Sequence, residues 1–252
     1  MLQNITKAKR IEFAKDKMER VLDHFLYVLE LHANNDFVVY TDALSQQIPE
    51  SFAANAFNVF QRGMYQIEIV RLCALWDRAE DHREKVTTVI ELIDHEEVID
   101  ALAEETRRHW ADQPTQLLNP ATDPDLAEIE RAEVREIDGR YGEEQAAKAR
   151  SKLNKSIRVV RTVRSSLRLE SIMNARDKHL AHSLTKTRRE IHGPIKPMKN
   201  SDGHWLFTRS IPVIETLYCW VNGKSFSIAD SMKIHTQNAQ ALWGDCRMNV
   251  LR

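Results

Sequence analysis

Apolar residues recur along most of the chain at the three- and four-residue intervals of an amphipathic α-helix. Over residues 4–34, Phe13, Met18, Val21, Leu22, Phe25, Leu26, Val28, Leu29 and Leu31 alternate with charges, predicting a long helix that Asn34-Asn35 ends. A connector with a short helical turn fills 35–50 and closes at Pro49-Glu50-Ser51. A second long helix follows at about 51–80, carrying Phe52, Phe57, Phe60, Met64, Ile67, Ile69, Val70, Leu72, Leu75 and Trp76. So broad an apolar face predicts burial on more than one side and a central position. Two shorter helices are expected near 83–94 and 95–110. Pro114, Pro120 and Pro124 cannot sit inside a continuing helix, so 111–124 reads as a surface loop. Helix resumes at Asp125, with a bend or break at Gly139 and Gly142. A long helix over 143–168 then leads directly into another over 169–184. After Ser183, Gly193, Pro194, Pro197 and Gly203 predict a long loop, or a small hairpin around Trp205-Leu206-Phe207. Helices at about 211–221 and 225–248 close the chain.

Composition agrees with an all-α fold. Only seven glycines and seven prolines punctuate 252 residues, too few for a chain rich in tight turns. Cys73, Cys219 and Cys246 are far apart and odd in number, as expected of reduced thiols in a cytoplasmic protein rather than a disulfide framework. The N-terminal residues carry no apolar signal stretch, and no window is apolar enough to span a membrane. Net charge is −1, but it is unevenly spread. Between Lys148 and Arg189 thirteen Lys or Arg face two carboxylates, whereas between Glu80 and Glu144 twenty carboxylates face seven cations. The basic segment suits phosphates, and equally suits the acidic half of this chain or of a second copy.

Candidate chemistry concentrates in Arg176-Asp177-Lys178-His179-Leu180-Ala181-His182. On an α-helix Arg176, His179 and His182 share a strip about 120° wide. Imidazole exchanges protons near neutral pH, and a guanidinium matches phosphate oxygens while staying charged. Arg with His is thus a minimal kit for metal-free phosphodiester chemistry. In the plainer reading Arg176 pairs with a local carboxylate, and the histidines sit on a rim or cap a helix end. No HExxH or Cys partner supports a metal site, and no cofactor is expected. Asp77, at the end of the second helix, opposes the helix dipole and calls for a cation such as Arg176 or Arg78.

The run RDKHLAH resembles the R-x(4–6)-H signature of the HEPN superfamily, in which a polar residue follows the Arg. The segment PESFAANAFNVF and the helix end Arg71-Leu72-Cys73-Ala74-Leu75-Trp76-Asp77 are similar to its abortive-infection, AbiU-type branch, as is the apolar stretch Val86–Ile93. That resemblance covers roughly residues 10–185. It implies a HEPN-like helical bundle over 1–184, with 185–252 as a C-terminal loop and helical extension packed on it. It implies a homodimer whose motif helices build one composite cleft, and a metal-independent ribonuclease or RNA-targeting toxin of phage defence. His182 would be the general acid or base, Arg176 would stabilise phosphoryl charge, and Asp177 would orient Arg176 or a water. His179 is a rival for the His182 role, and Asp77 a further site candidate. A cognate antitoxin is a possible partner. The second reading is a non-catalytic HEPN dimer that binds nucleic acid or a partner protein.

Upstream of the motif, Lys155, Arg158, Arg161, Arg164 and Arg168 recur every three or four residues beside an apolar face, and Lys178 lies within the motif. As a track leading to Arg176, these cations suit single-stranded RNA. As a solvated or internally paired face, they suit the bundle itself.

Overall fold

Side-chain caps place most of the helix starts. The computed structural model describes residues 5–80, 83–112, 122–180 and 184–249. Thr6 accepts a hydrogen bond from the Lys9 amide and starts α1 (Lys7–Val38). Ser51 does the same for the Ala54 amide at the head of α2 (Phe52–Trp76). After α3 (Val86–Ile93), α4 (Glu96–Ala111) carries Glu96 and Glu97 in its first turn and Arg108 and His109 in its last. Those charges complement the helix dipole at both ends. Asp123 caps α5 (Pro124–Arg164) from its side chain, with Pro124 at the first position, where a missing N–H is harmless. Ser166 caps α6 (Leu167–Ala175), which passes into a π-helical turn, Arg176–Leu180. A 3-10 turn (Arg188–His192), α7 (Asn200–Asn222) and α8 (Ile228–Trp243) complete the order. Among the described residues there is no strand, and no helix is long and apolar enough to cross a membrane.

One hydrophobic core joins all eight helices. Its axis is α1, which packs on α2, α3, α4, α7 and α8 and buries Met18, Val21, Phe25 and Val28 completely. The central role expected of α2 therefore belongs to α1. Only the C-terminal half of α2 is covered, through Ile69, Leu72, Leu75 and Trp76; Phe52 and Val59 in its first half are 95% and 68% exposed. The breadth of the α2 face reflects two successive environments, one core and one surface. Most buried side-chain polar groups are met by partners, Asn35 Oδ1 and Asn222 Oδ1 excepted. Trp76 donates its indole N–H to Ser210 Oγ at 2.8 Å, and Glu68 receives Asn35, Tyr40 and His32.

Three other expectations change. First, α5 runs unbroken through Gly139 and Gly142 for 41 residues, about 60 Å. Gly142 marks a close approach instead of a bend: a Cβ there would lie 2.9 Å from the Arg107 carbonyl oxygen and 3.0 Å from Ala111 Cβ on α4. Second, Trp205-Leu206-Phe207 lies inside α7, not in a loop or hairpin. Asp202 accepts from the Lys199 amide at the helix start, and the burial of Leu206, Phe207, Val213, Ile214 and Leu217 outweighs the turn-like look of Ser201-Asp202-Gly203. Third, α5 and the motif helix are separated by a turn at Ser165-Ser166, and α-helical winding ends at Ala175. Most of the proline-rich loop lies outside the described residues.

A bulky residue at the α4–α5 seam is expected to be costly. Gly142→Val should destabilise by about 1–3 kcal/mol, the usual cost of overpacking. Gly139→Ala, with open space around its Cβ, should be neutral or stabilise by about 0.5–1 kcal/mol through helix propensity. Urea unfolding of the two variants beside the parent measures the contrast.

Candidate active site

The site is assembled where the end of α2 meets the π turn. Burial of Trp76 fixes the last turn of α2, and Asp77 follows it in extended geometry. Its carboxylate stands against the negative end of the helix dipole and needs a cation nearby. Arg176 supplies it. Nη1 donates to Asp77 Oδ2 at 2.7 Å and Nη2 reaches Asp77 Oδ1 at 3.5 Å. The same guanidinium donates to Asp177 Oδ1 from Nε at 2.9 Å and from Nη2 at 2.6 Å. Asp177 Oδ2 in turn accepts from Arg189 Nε at 3.0 Å. The result is a chain of alternating charge, Asp77–Arg176–Asp177–Arg189. Four of the five Arg176 N–H groups are engaged, which leaves one Nη1 hydrogen for anything else.

Electrostatics follow this geometry. Desolvation works against the Arg176 charge, but its hydrogen bonds to Asp77 and Asp177 outweigh that and raise its pKa. Desolvation likewise favours protonated Asp77, and the Arg176 hydrogen bond and charge reverse it, holding the carboxyl below its ordinary range. Cys73, one turn earlier and fully buried, has its thiol pushed up to about 12 by desolvation, so it is no nucleophile at neutral pH.

A second network straps the segment after the motif onto the π turn. Glu190 accepts from the Thr187 amide at 3.0 Å, from Lys178 Nζ at 2.9 Å and from Asn174 Nδ2 at 3.2 Å. Led by the backbone bond, these contacts lower its pKa to about 2. The Thr187 hydroxyl donates to Asn174 Oδ1, which closes the ring. Neighbouring residues of one 3-10 turn, Arg189 and Glu190, thus grip neighbouring residues of the π turn, Asp177 and Lys178. Sequence reasoning missed both. Thr187-Arg188-Arg189-Glu190 is a capping box, and that four-residue signal inside the supposed loop would have found them.

Of the expected site residues, Arg176, Asp177 and Asp77 come together. Asp77 and Arg189 border a cleft of about 370 Å³ whose other walls include Arg78, Arg164, Ser166 and Glu170. His179 is exposed and lines a different cleft of about 330 Å³, with Lys178, Glu190 and Lys196. The π winding is the reason, because the shared strip for Arg176 and His179 holds only for α-helical spacing. His182 lies outside the described residues. The expected cationic track is divided. Arg161 is paired with Asp94, Arg164 lies 3.9 Å from Glu91, Arg168 binds Asp202 at 2.8 Å and Lys178 binds Glu190. Lys155 and Arg158 are exposed and line a groove shared with α7. Cys73, Cys219 and Cys246 are free thiols, and among the described residues no cluster of three or more His, Cys, Asp or Glu could hold a metal ion.

A family model, HEPN_AbiU2, matches residues 12–227, from the first turns of α1 to the residue before α8. The chain belongs to the AbiU2 family of HEPN proteins. The match takes in Asp77, the π turn and the Thr187–Glu190 strap together. No curated protein and no solved structure matches the chain. The membership makes this an abortive-infection-related HEPN protein with an all-α fold.

The Asp77–Arg176 link has a defined pH dependence. A carboxyl whose folded pKa is depressed stabilises fully above its ordinary value of 3.8, and that contribution disappears as pH falls through the lower folded value. Asp77→Asn should therefore cost about 1–2 kcal/mol at about pH 7, discounted for the partial exposure of the pair. The difference from the parent should close as pH falls below about 4. Urea unfolding across that range measures it, and a constant difference would contradict the assignment.

Proposed function

We propose that this AbiU2-family protein is a metal-independent endoribonuclease, an RNA-targeting toxin of phage defence working from a composite site in a homodimer. The observation that carries this reading is the alternating chain Asp77–Arg176–Asp177–Arg189, which holds the Arg176 guanidinium in place while its two end members, Asp77 and Arg189, line an open cleft. A preorganised cation pays no reorganisation when charge grows on a phosphoryl oxygen. The remaining Nη1 hydrogen of Arg176 is the donor for that oxygen. His182 removes the proton of a ribose 2′-OH, whose oxygen attacks the adjacent phosphorus. The P–O5′ bond breaks, and the departing oxygen takes a proton from an imidazole, His179 or the partner's motif histidine serving for this second transfer. The products are a 2′,3′-cyclic phosphate and a 5′-OH. Asp77 and Asp177 act by positioning Arg176.

Support for the dimer comes from the surface around the motif. Leu167, Leu184 and Ile191 flank it in sequence and are 66%, 42% and 71% exposed, apolar side chains that a second copy would cover. A second reading, a non-catalytic HEPN dimer, is favoured by the engagement of four of the five Arg176 N–H groups within the chain and by the different cleft that His179 lines.

Purified protein incubated with total RNA in EDTA tests the choice. Cleavage leaving 2′,3′-cyclic phosphate ends is expected, reduced about 10²–10⁴-fold by Arg176→Ala and by His182→Ala. Cleavage that survives both substitutions would overturn the site. Binding of RNA with no cleavage by the parent would establish the second reading.

A further inference from the structure

We propose that the groove between α5 and α7 is a single-stranded RNA subsite, where the Trp205 ring takes a base while Lys155, Arg158 and Arg209 hold its flanking phosphates. It rests on the RNA reading above and extends it to a surface outside the cleft that Asp77 and Arg189 border.

The groove encloses about 450 Å³, within the usual range of about 300–1,000 Å³ for small-ligand sites. Val159 and Val163 of α5 and the Trp205 side of α7 give it apolar walls, and Lys155, Arg158 and Arg209 its charges. Every charged residue lining it is a cation, in a chain whose net charge is only −1. That excess is not a general property of α5. On the side facing α3 and α4, Arg150 pairs with Asp100, Arg161 with Asp94 and Arg164 with Glu91. Lys155, Arg158 and Arg209 have no carboxylate partner among the described residues. The helix thus neutralises one side against its own bundle and leaves the other for an external anion.

Trp205 decides which anion. Arg168 lies over the indole, 4.9 Å from its centroid, and is itself held by Asp202 at 2.8 Å. The ring is therefore fixed before any ligand arrives, and a cation behind it strengthens its hold on an electron-rich partner. An acidic peptide would satisfy the cations but has no use for an aromatic wall. A polynucleotide uses both, because each base offers a π-face and each linkage a phosphate. The position also fits. Ser166, in the turn between α5 and α6, lines both this groove and the cleft beside Asp77. A strand seated on Trp205 has only that turn to cross before reaching the cleft lined by Asp77 and Arg189.

The test is fluorescence anisotropy with a labelled 2′-O-methyl oligouridylate 12-mer, which binds without being cleaved. Trp205→Ala should weaken binding about tenfold, and Trp205→Phe should restore much of it. Lys155→Ala with Arg158→Ala should lower the slope of log K against log salt by about 1.4, the value for two single-strand phosphates. An abasic 12-mer should bind equally to the parent and to Trp205→Ala. Oligouridylate binding unchanged by these substitutions, or a polyglutamate peptide bound as tightly as the oligonucleotide, would overturn the proposal. The subsite and the nuclease reading fail separately. Trp205-dependent binding without cleavage removes only the nuclease, and cleavage with Trp205-independent binding removes only the subsite.

Discussion

Everything near the motif depends on how one carboxylate at the wrong end of a helix is neutralised. Asp77 follows α2 where the peptide dipole already points negative, and it is partly withdrawn from water. Left alone it would favour protonation or exposure. Arg176 answers it from a segment 99 residues further along, and in doing so fixes where the π turn sits relative to the core. Asp177 and Arg189 extend the same logic outward, each charge placed to satisfy the one before it. Removing Arg176 takes the guanidinium from Asp77, and removing Asp177 takes the carboxylate from Arg189, so the loss of either internal member is felt at an end of the chain and the four residues are coupled rather than independent pairs.

This arrangement also explains the division of the basic residues. A bundle built around α1 needs α5 to lie along α3 and α4, and those helices offer Asp94, Glu91 and Asp100. Cations that meet them serve cohesion. Those of α5 that line the groove with α7, Lys155 and Arg158, meet no carboxylate among the described residues. A single helix therefore carries two cation sets, one paired within the bundle and one not, separated by about a third of a turn.

The fold was largely legible in the residues. Apolar periodicity located the segments of α1 to α6 and α8 and the second half of α7, and the LWD end of α2 with the RDKH run pointed to the family. Three features escaped for physical reasons. Gly142 looks like a helix breaker, but the absence of its Cβ permits the α4 contact, a tertiary fact with no local signature. The α7 start reads as a turn until Leu206 and Phe207 find the core. The change from α to π winding at Arg176 has no local marker, so a wheel drawn on α geometry merges Arg176 and His179, which the protein holds apart. By contrast, the Asp77–Arg176 pair was foreseeable, because a helix-terminal acid demands a cation.

The π turn has one more consequence. Such a turn closes its hydrogen bonds over five residues instead of four, so it accommodates an extra residue without redirecting the helix that enters it. Residue spacing within Arg176–Leu180 therefore sets neither the rise nor the angle that α winding would give it, and a side chain one position further along emerges on a different side of the segment.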